Sequence, residues 1–478
     1  MMMIRNGRLQ SNLILVCVQL VWLGAADFSS AAETPRTMRV DTYHTGNIGT
    51  ELFSLHRVVV EPLEWPGNPD RPLDTTNRGK YFFEVVDPKS NEVLYSRGFS
   101  SIYGEWETTA EAREANRTFS ESLRFPEPDG PVTIHVSKRN ASNAFERIWT
   151  VGVDPTDMLV VRSFAPAPAE VVAIRDNGDP SHKVDLLILG DGYTADEQQK
   201  FLADAKRLAE ALFAVSPFEE RRDAFNLWAM SVPSPRSGVS RPSSGLERWT
   251  PVGTTYDAFR SERYVLTFDN LALRTIASWA PYDVVEILVN NETYGGGGIF
   301  GQYSTAAAGS DWAEYLVIHE FAHHFAGLAD EYYTSPVAYE PTAPTVEPWE
   351  PNVTALLDPE SLKWQSLVLP GTPVPTPWPK AEYESYMREH QNERARVRAD
   401  HRPESDMNRL FRQAQDFTDE LFSMHRYRDV VGAFEGANYE ANGFYRPAMN
   451  CVMFTRHDAF CDVCAAAIER MIDLYTGR

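Results

Sequence analysis

Residues 311–333 read DWAEYLVIHEFAHHFAGLADEYY, and this stretch decides the fold of the chain. Its centre, HEFAH at residues 319–323, matches the pattern H-E-x-x-H. Residues four apart on a helix lie about 40° apart around its axis, so the imidazoles of His319 and His323 can face one Zn²⁺. Glu320 lies about 100° further round. Its carboxylate is therefore placed to accept a proton from a water at the metal rather than to bind the metal.

The residues around this motif predict a buried helix with a defined end. Asp311 is a suitable N-cap, and apolar residues recur at helical spacing on more than one side. A helix that is apolar nearly all round is a buried helix. Gly327 is a suitable C-terminal stop. The chain that turns back after it brings Asp330 and Glu331 towards the metal.

A catalytic zinc needs three protein ligands and one open position, so a third ligand is expected near the two histidines. In metzincins a ligand lies three residues after the glycine that follows the helix, and this step leads here to Asp330. Gly327 comes one residue later than in the metzincin spacing, so Glu331 stays a second candidate. A chance match on an ordinary buried helix is the competing interpretation, and the acidic residues after the glycine count against it.

Length and composition allow two domains, and the N-terminal sequence predicts export. The chain has 478 residues, 43% of them hydrophobic. A net charge of -22 argues against a nucleic-acid partner, since phosphate binding needs a basic surface. Residues 1–32 predict a secretory signal whose apolar run is too short for a transmembrane helix. We expect a secreted or periplasmic protein with no membrane span after signal removal.

Residues 35–162 predict an N-terminal antiparallel β-sandwich. Short alternating runs, such as YFFEVV at residues 81–86 and VTIHVS at residues 132–137, are separated by turn signals. No cluster of metal ligands or nucleophiles occurs among them. We therefore expect this domain to serve packing or substrate presentation.

Residues 163–478 begin with a proline-rich linker and then predict an α/β domain. Strands are expected at residues 184–189, 225–232 and 284–289, and a capping box at residues 194–197 opens a helix. The charged stretch at residues 380–427 predicts a helical hairpin with a break near Pro403. The predicted fold class is thus multi-domain α+β.

The glycines at residues 295–298, with Gly301, match G-x-G-x-x-G. No helix pattern opens at Gly301, so we expect no dinucleotide site there. Two interpretations stay open. The segment is either an edge that lets a peptide backbone approach and pair with it, or a flexible loop.

HEFAHHFAGLADEYY, VGAFEGANYEANGFYRPAMNCVMF and FCDVC together resemble the IgA Peptidase family of secreted zinc metallopeptidases. HTGNIGTELFSLHRVVVE and LYSRGFSSIYGEWETT resemble that family's N-terminal domain, so the likeness covers most of the mature chain. It implies a metzincin-like catalytic domain and a zinc endopeptidase acting on a protein or peptide substrate. It does not imply that immunoglobulin A is cut. By the same resemblance Met453 belongs to a Met-turn beneath the zinc, with a plain core methionine as the alternative.

The C-terminal region carries two further groups of candidates. Tyr445 and Arg446 are candidates for steadying the oxyanion that forms as water attacks the peptide carbonyl, and a structural tyrosine is the alternative. Cys451, Cys461 and Cys464 remain after signal removal. Their spacing is compatible with a zinc site, but export favours a disulfide, and no fourth ligand is evident except His457. We expect one bridge from Cys451 to Cys461 or Cys464.

Taken together, these patterns predict a secreted zinc endopeptidase. His319, His323 and Asp330 hold Zn²⁺, and Glu320 acts as general base and then as proton donor to the leaving amine. Two alternatives stay open. One is a zinc amidase or exopeptidase that acts on cell-wall or glycan-linked peptides, and the other is a non-catalytic surface-binding protein whose β domain does the work.

Overall fold

The first part of the described chain is an all-antiparallel β region with one short helix. The computed structural model describes residues 34–477, so the predicted signal at residues 1–32 lies outside the described residues. The elements of this region are β1 Arg36–Asn47, β2 Thr50–Glu64, β3 Tyr81–Val86, β4 Val93–Phe99, α1 Ile102–Trp106, β5 Arg117–Pro126, β6 Val132–Arg139 and β7 Phe145–Val153. They form a three-stranded sheet, β2-β1-β5, and a four-stranded sheet, β4-β3-β6-β7.

The two sheets share one apolar core because alternate residues of their strands point to the same side. Phe83 and Val85 of β3 meet Ile134 and Val136 of β6 there, and Val40 of β1 joins them from the other sheet. The strands predicted at residues 81–86 and 132–137 are confirmed at these positions. The N-terminal region therefore has the antiparallel sheets that the alternation predicted.

The central part of the chain is built on one mixed sheet. Its elements are β8 Val172–Arg175, β9 Val184–Asp191, α2 Gln198–Leu212, β10 Phe225–Ser231, β11 Thr254–Thr255, β12 Leu266–Thr267, α3 Asn270–Ala277, β13 Val284–Val289, β14 Gly296–Ile299, β15 Tyr303–Ala307 and α4 Ala313–Ala326. The six-stranded sheet has the order β14-β15-β13-β9-β10-β8. The inner strands are parallel, and the edge strands β14 and β8 are antiparallel to their neighbours.

Strand β9 shows how this sheet separates two cores. Leu186 and Ile188 pack into the core that contains α2 and α4, whereas Leu187 and Leu189 pack into a core on the opposite face. Every residue of β9 is buried, as expected for a strand covered on both faces. The helix that carries the H-E-x-x-H motif is therefore held against one face of the sheet.

The C-terminal part completes the core beside α4. Its elements are α5 Lys380–Ala399, α6 Glu404–Ser423, β16 Phe434–Ala437, β17 Glu440–Arg446 and α7 Asp462–Thr476. The helical hairpin predicted for residues 380–427 is confirmed by α5 and α6, with Pro403 at the break. Helix α7 packs against α4 through residues such as Ile468 and Ile472. The class of the whole is mixed α+β, as predicted.

Two arginines tie the N-terminal sheets to the rest of the molecule. Arg78 donates to the carbonyls of Ala326, at the end of α4, and of Ala467 in α7, over 2.8 and 2.9 Å. Arg124 of β5 donates to the carbonyl of Tyr282 over 2.9 Å. The N-terminal region thus supports the end of the motif helix directly. Within residues 34–477, no helix is both long and apolar enough to cross a membrane.

Candidate metal centre

Helix α4 begins and ends close to the predicted positions. Trp312 is its N-cap and makes no side-chain capping bond, so the prediction of Asp311 as N-cap is wrong. The Asp311 carboxylate instead accepts a hydrogen bond of 2.8 Å from Asn408 of α6, which draws it away from the helix start. Gly327 ends the helix with a φ of 61°, in the left-handed region that glycine adopts without strain.

Three ligand atoms converge beside α4. The Nε2 atoms of His319 and His323 lie 3.2 Å apart. Oδ1 of Asp330 lies 3.0 Å from Nε2 of His319 and 3.3 Å from Nε2 of His323. Nitrogen and oxygen ligands of a tetrahedral zinc are separated by about 3.3 Å, given bond lengths of about 2.0 to 2.1 Å. The three atoms are therefore spaced as the ligands of one ion.

The other ring nitrogen of each histidine is held by a backbone carbonyl. Nδ1 of His319 donates to the carbonyl of Val452 over 3.0 Å, and Nδ1 of His323 donates to that of Leu328 over 2.6 Å. A neutral imidazole that donates from Nδ1 has a lone pair on Nε2. Both Nε2 atoms are thus prepared to bind a metal, as is usual where carbonyls orient metal-binding histidines.

Without a cation this arrangement would be unfavourable, because two nitrogen lone pairs and a carboxylate oxygen would face one another. Oδ1 of Asp330 is buried and receives no hydrogen bond. Burial alone would lower the pKa of His323, but the Asp330 carboxylate outweighs it and raises that pKa to about 9. The residues therefore attract positive charge strongly and fit a divalent metal ion.

The tip of the hairpin formed by β16 and β17 fixes Asp330. The Tyr439 hydroxyl donates to Oδ2 of Asp330 over 2.6 Å, and the Asn438 amide donates to the Asp330 carbonyl over 3.0 Å. Tyr439 has a φ of 67°, an uncommon conformation for a bulky residue. The sequence analysis missed Tyr439, since it lies 109 positions from Asp330 and carries no motif of its own.

Glu320 lies beside the glycine-rich edge strand β14. A Cβ at Gly298 would lie 2.2 Å from the Glu320 carbonyl oxygen, and one at Gly296 would lie 2.9 Å from Cγ of Glu320. Only glycine therefore allows the strand to pass so close to α4. Burial raises the pKa of the half-buried Glu320 carboxyl, which suits it to carry a proton.

The structure of β14 decides between the two interpretations of the glycine-rich segment, a strand edge or a flexible loop. It is an ordered strand rather than a flexible loop. Its outer edge is partly occupied, because Gly296 accepts from the amide of Val265 and donates to the carbonyl of Arg263, each over 3.1 Å. Close packing on α4 explains the glycines, and pairing of a peptide with this edge stays a prediction.

His324 follows the motif but serves the core instead. Its Nδ1 donates to the carbonyl of Ile299 over 3.1 Å, and its Nε2 accepts from the amide of Val285 over the same distance. Burial lowers the pKa of His324 to about 3, so the ring stays neutral. Both nitrogens are occupied, which leaves His324 no atom for a metal.

The backbone of Met453 contacts the segment that follows the motif helix. Its carbonyl accepts from the Glu331 amide over 2.9 Å, and its side chain is fully buried in the core that contains α4. The preceding residue, Val452, supplies the carbonyl that orients His319. The segment around Met453 thus adjoins both His319 and the chain that bears Asp330, and its role as an apolar floor beneath a metal stays a prediction.

The oxyanion role considered for Arg446 does not fit the structure. The Arg446 guanidinium is fully buried between the rings of Trp378 and Phe454, 4.2 and 3.7 Å from their centroids. It donates to the carbonyls of Gly436 and Met449. This arginine therefore supports the hairpin from inside.

Tyr445 does not contact the candidate metal ligands, whereas Arg263 and Tyr332 lie beside one of them. Tyr445 is half-buried on β17 opposite Glu435, and no hydrogen bond joins its side chain to a metal ligand in the described part of the chain. By contrast, Arg263 donates to the Tyr332 hydroxyl over 2.9 Å, and the Tyr332 ring stacks on that of His319. Sequence reasoning missed Arg263, which comes from a loop far from the motif.

The three cysteines lie together, and all three are free thiols in the structure. The predicted bridge from Cys451 is thus not formed here. Sγ of Cys451 lies 3.8 Å from Sγ of Cys464, beside the carboxylate of Glu331. Glu331 therefore faces the cysteines and not the histidines, which separates it from Asp330.

Two histidines on one helix, an aspartate after its glycine stop and a glutamate beside them form the kind of metal centre that metallopeptidases use. Residues 172–472 match the family model described as IgA Peptidase M64, and residues 27–150 match the one described as Peptidase M64 N-terminus. The chain therefore belongs to the M64 family and is a metallopeptidase by that membership. A search of curated proteins finds no match.

Proposed function

We propose that this chain is a secreted, zinc-dependent endopeptidase. Its catalytic domain, residues 163–478, would be metzincin-like, with residues 35–162 as a separate N-terminal domain and residues 1–32 as the export signal. The family name includes a protein substrate, which supports cleavage within proteins. The glycine stop, the acidic ligand after it and the methionine segment below support a relation to metzincins.

The observation that carries the zinc assignment is the triangle of His319, His323 and Asp330 atoms, which lie 3.0 to 3.3 Å apart around a buried Asp330 oxygen that receives no hydrogen bond. Two neutral imidazoles and one carboxylate that approach one point from the same side of the ion are a common donor set for catalytic zinc. When bound, zinc supplies Lewis-acid polarisation of the scissile carbonyl and a lowered pKa for the attacking water.

The residues of the chain supply the proton transfers and the orientation. The Glu320 carboxylate takes the proton of the attacking water and then passes it to the leaving amine. Carbonyls of Val452 and Leu328 keep the histidines in the reactive tautomer. Tyr439 keeps Asp330 from rotating.

Arg263 and Tyr332 are our candidates for stabilising the negative charge that develops on the peptide oxygen. Arg263 is a cation beside the metal ligands, and it donates to Tyr332, which stacks on His319. A donor near the developing oxyanion contributes about 10²- to 10³-fold to turnover. Replacing Tyr332 by Phe should therefore lower kcat with little change in zinc content.

Mass-spectrometric mapping of cleavage in a peptide library with both termini blocked tests the proposed activity. Internal cuts that vanish on chelation and return with Zn²⁺ would support the endopeptidase. Cleavage of unblocked peptides alone would favour the exopeptidase. Release of peptides from cell-wall or glycan conjugates alone would favour the amidase, and no hydrolysis of any substrate would favour the binding protein.

Export has its own test. The full chain, expressed with residues 1–32, should be recovered outside the cytoplasm with a new N-terminus close to Ala32. N-terminal sequencing reads this directly. Recovery of only the uncut chain from the cytoplasm would contradict secretion without affecting the zinc site.

A further inference from the structure

A second group of metal-binding side chains lies behind the histidine site. Glu331, Cys451, Cys461 and Cys464 each offer one ligand atom, and these four atoms lie within 4.8 Å of one another. Glu331, Cys451 and Cys464 are fully buried. Three thiols and a carboxylate from separated parts of the chain thus meet in one small volume.

The distances in this group are those of ligands around one ion. The sulfurs of Cys451 and Cys464 are 3.8 Å apart, and the sulfur of Cys464 is 3.4 Å from Oε1 of Glu331. With Zn–S bonds of about 2.3 Å and Zn–O bonds of about 2.0 to 2.2 Å, a tetrahedral site gives separations of about 3.8 and 3.5 Å. The four atoms are too close together for an iron–sulfur cluster, whose ligands surround several metal ions.

A disulfide explains this arrangement less well. It would join two sulfurs and leave the third thiol and the Glu331 carboxylate facing it in the interior. Oε2 of Glu331 is already buried without a hydrogen bond. Its other oxygen, Oε1, accepts from the Asn352 side-chain amide over 3.0 Å, so the buried carboxylate is only partly satisfied, and a bound cation would remove the remaining penalty.

Burial raises the pKa of the Cys451 and Cys464 thiols, so their thiolates need a bound cation, and groups around them assist it. Cys461 is the N-cap of α7, and Cys464 lies in its first turn, where the helix dipole stabilises negative charge. The Cys461 amide donates to the sulfur of Cys451 over 3.4 Å. The buried cation Arg446 interacts electrostatically with both Glu331 and Cys451. These contacts offset the charge that three thiolates and a carboxylate carry around one divalent ion.

We propose that Glu331, Cys451, Cys461 and Cys464 bind a second metal ion, zinc, in a closed structural site. Three sulfur donors select zinc over magnesium, calcium or manganese. Four protein ligands leave no open position for a substrate, so this ion would hold structure rather than perform chemistry. The proposal does not depend on the activity of the histidine site.

The ion would connect the segments that build the histidine site. Glu331 follows Asp330, so fixing one carboxylate restrains the backbone of the other. Cys451 precedes Val452, whose carbonyl orients His319. Because the Glu331 amide also donates to the Met453 carbonyl, the second ion would clamp both segments at once.

Metal analysis of the mature chain, residues 33–478, tests the proposal, because this chain holds the three cysteines of the group without Cys17 of the predicted signal. The unmodified protein should contain two zinc ions per chain, and a His319→Ala/His323→Ala variant should retain one. Exchanged for Co²⁺, that variant should show sulfur-to-cobalt charge-transfer absorption, because only the cysteine site can give it. Cys464→Ser in the same background should remove both the absorption and the remaining ion, whereas Ser423→Ala, at an exposed helix end, should leave both unchanged.

One measurement needs no variant, so a folding defect cannot obscure the result. A mercurial thiol reagent added to the unmodified protein should release one zinc ion as three thiols react. A single reactive thiol under denaturing, non-reducing conditions would show a disulfide and overturn the proposal. Three thiols with only one ion per chain, lost when both histidines are replaced, would overturn it as well.

Discussion

Asp330 and Glu331 are neighbours in the chain, yet their carboxylates face two different donor sets. Asp330 meets two imidazoles beside Glu320, and Glu331 meets three thiols. The first set offers three donor atoms with a half-buried glutamate next to them, whereas the second offers four donor atoms. If both sets bind metal as proposed, consecutive residues serve chemistry on one side and structure on the other.

The difference between the two sets follows from what each donor type can do. Imidazole and carboxylate ligands that leave a position open allow a zinc to accept water and substrate. A full shell that is rich in sulfur holds the ion and excludes both. If both sites are occupied as proposed, a defect in the closed site should affect the open one through the backbone between residues 330 and 331.

The largest effect is expected when each of the two carboxylates is replaced, one at a time, by the corresponding amide. Asp330→Asn should remove the zinc of the histidine site and all hydrolysis, because a bond to the ion is lost. Loss of a residue that only supports a ligand typically costs about 10- to 100-fold in metal affinity, and Asp330 should exceed this. Glu331→Gln should weaken the cysteine site and leave the zinc of the histidine site bound, with an affinity lowered by no more than about 10- to 100-fold, because it acts there only through the backbone.

Each of these two variants is the matched control for the other. The zinc content per chain and the absorption spectrum of the cobalt-exchanged protein show which of the two sites each variant has lost. The comparison fails if Glu331→Gln empties the histidine site while Asp330→Asn leaves it filled. The third ligand would then be Glu331. If both variants keep the histidine-site metal, that ligand comes from elsewhere in the chain.

Glu320→Gln should reduce hydrolysis by about 10²- to 10⁴-fold, the usual contribution of a positioned base, without loss of metal. The amide keeps the size of the side chain but cannot take a proton. Glu314→Gln, at an exposed position in the first turn of the same helix, is the control and should be fully active. Steady-state kinetics with metal analysis measures both variants. Normal turnover in Glu320→Gln would refute the proton-transfer role.

The histidine site could be predicted because most of it lies in one short stretch. His319, Glu320, His323 and Asp330 span twelve residues, and helical geometry with one glycine stop places them. Such local geometry follows from backbone rules alone. The strands and the helical hairpin were predictable for the same reason, since their periodicity is local.

The cysteine site and the supporting groups could not be predicted in this way. Glu331 lies 133 positions from Cys464, so no spacing rule connects them, and the sequence offered only His457 as a fourth ligand. In the structure His457 lies beside Asp458 instead. Tyr439 and Arg446 depended likewise on how the hairpin packs. Tertiary packing determines these contacts, and a single sequence carries little signal for it.

Glu286 on β13 is a third buried carboxyl to compare with those of Asp330 and Glu331. It is expected to be neutralised by a proton rather than by a cation. Glu286 bonds to Ser304 and is 3% exposed. Burial raises its pKa from 4.5 to about 8, so the folded protein keeps it neutral. Because the unfolded chain ionises at lower pH, this group should make the protein progressively less stable as pH rises from about 4.5 to 8.

Glu286→Gln should remove this pH dependence. Relative to the unmodified protein, its free energy of unfolding should rise by on the order of 3 to 4 kcal/mol between pH 5 and pH 8. Denaturant unfolding of both proteins with their metals bound measures the difference, and any pH dependence of metal binding cancels. A difference that does not change with pH would mean that Glu286 is ionised in the fold and has a cationic partner.

The smallest effect is expected at Met453. Its carbonyl, rather than its sulfur, contacts Glu331, and its side chain is fully buried. Met453→Leu conserves volume and should cost less than about 1.5 kcal/mol of stability, whereas Met453→Ala should cost about 2 to 5 kcal/mol. If the side chain is only an apolar floor, kcat/KM of the leucine variant should fall by no more than about tenfold. Thermal unfolding, metal analysis and kinetics on both variants check this. A leucine variant with normal stability and zinc but a loss above about 100-fold in kcat/KM would show that the thioether itself takes part in the chemistry.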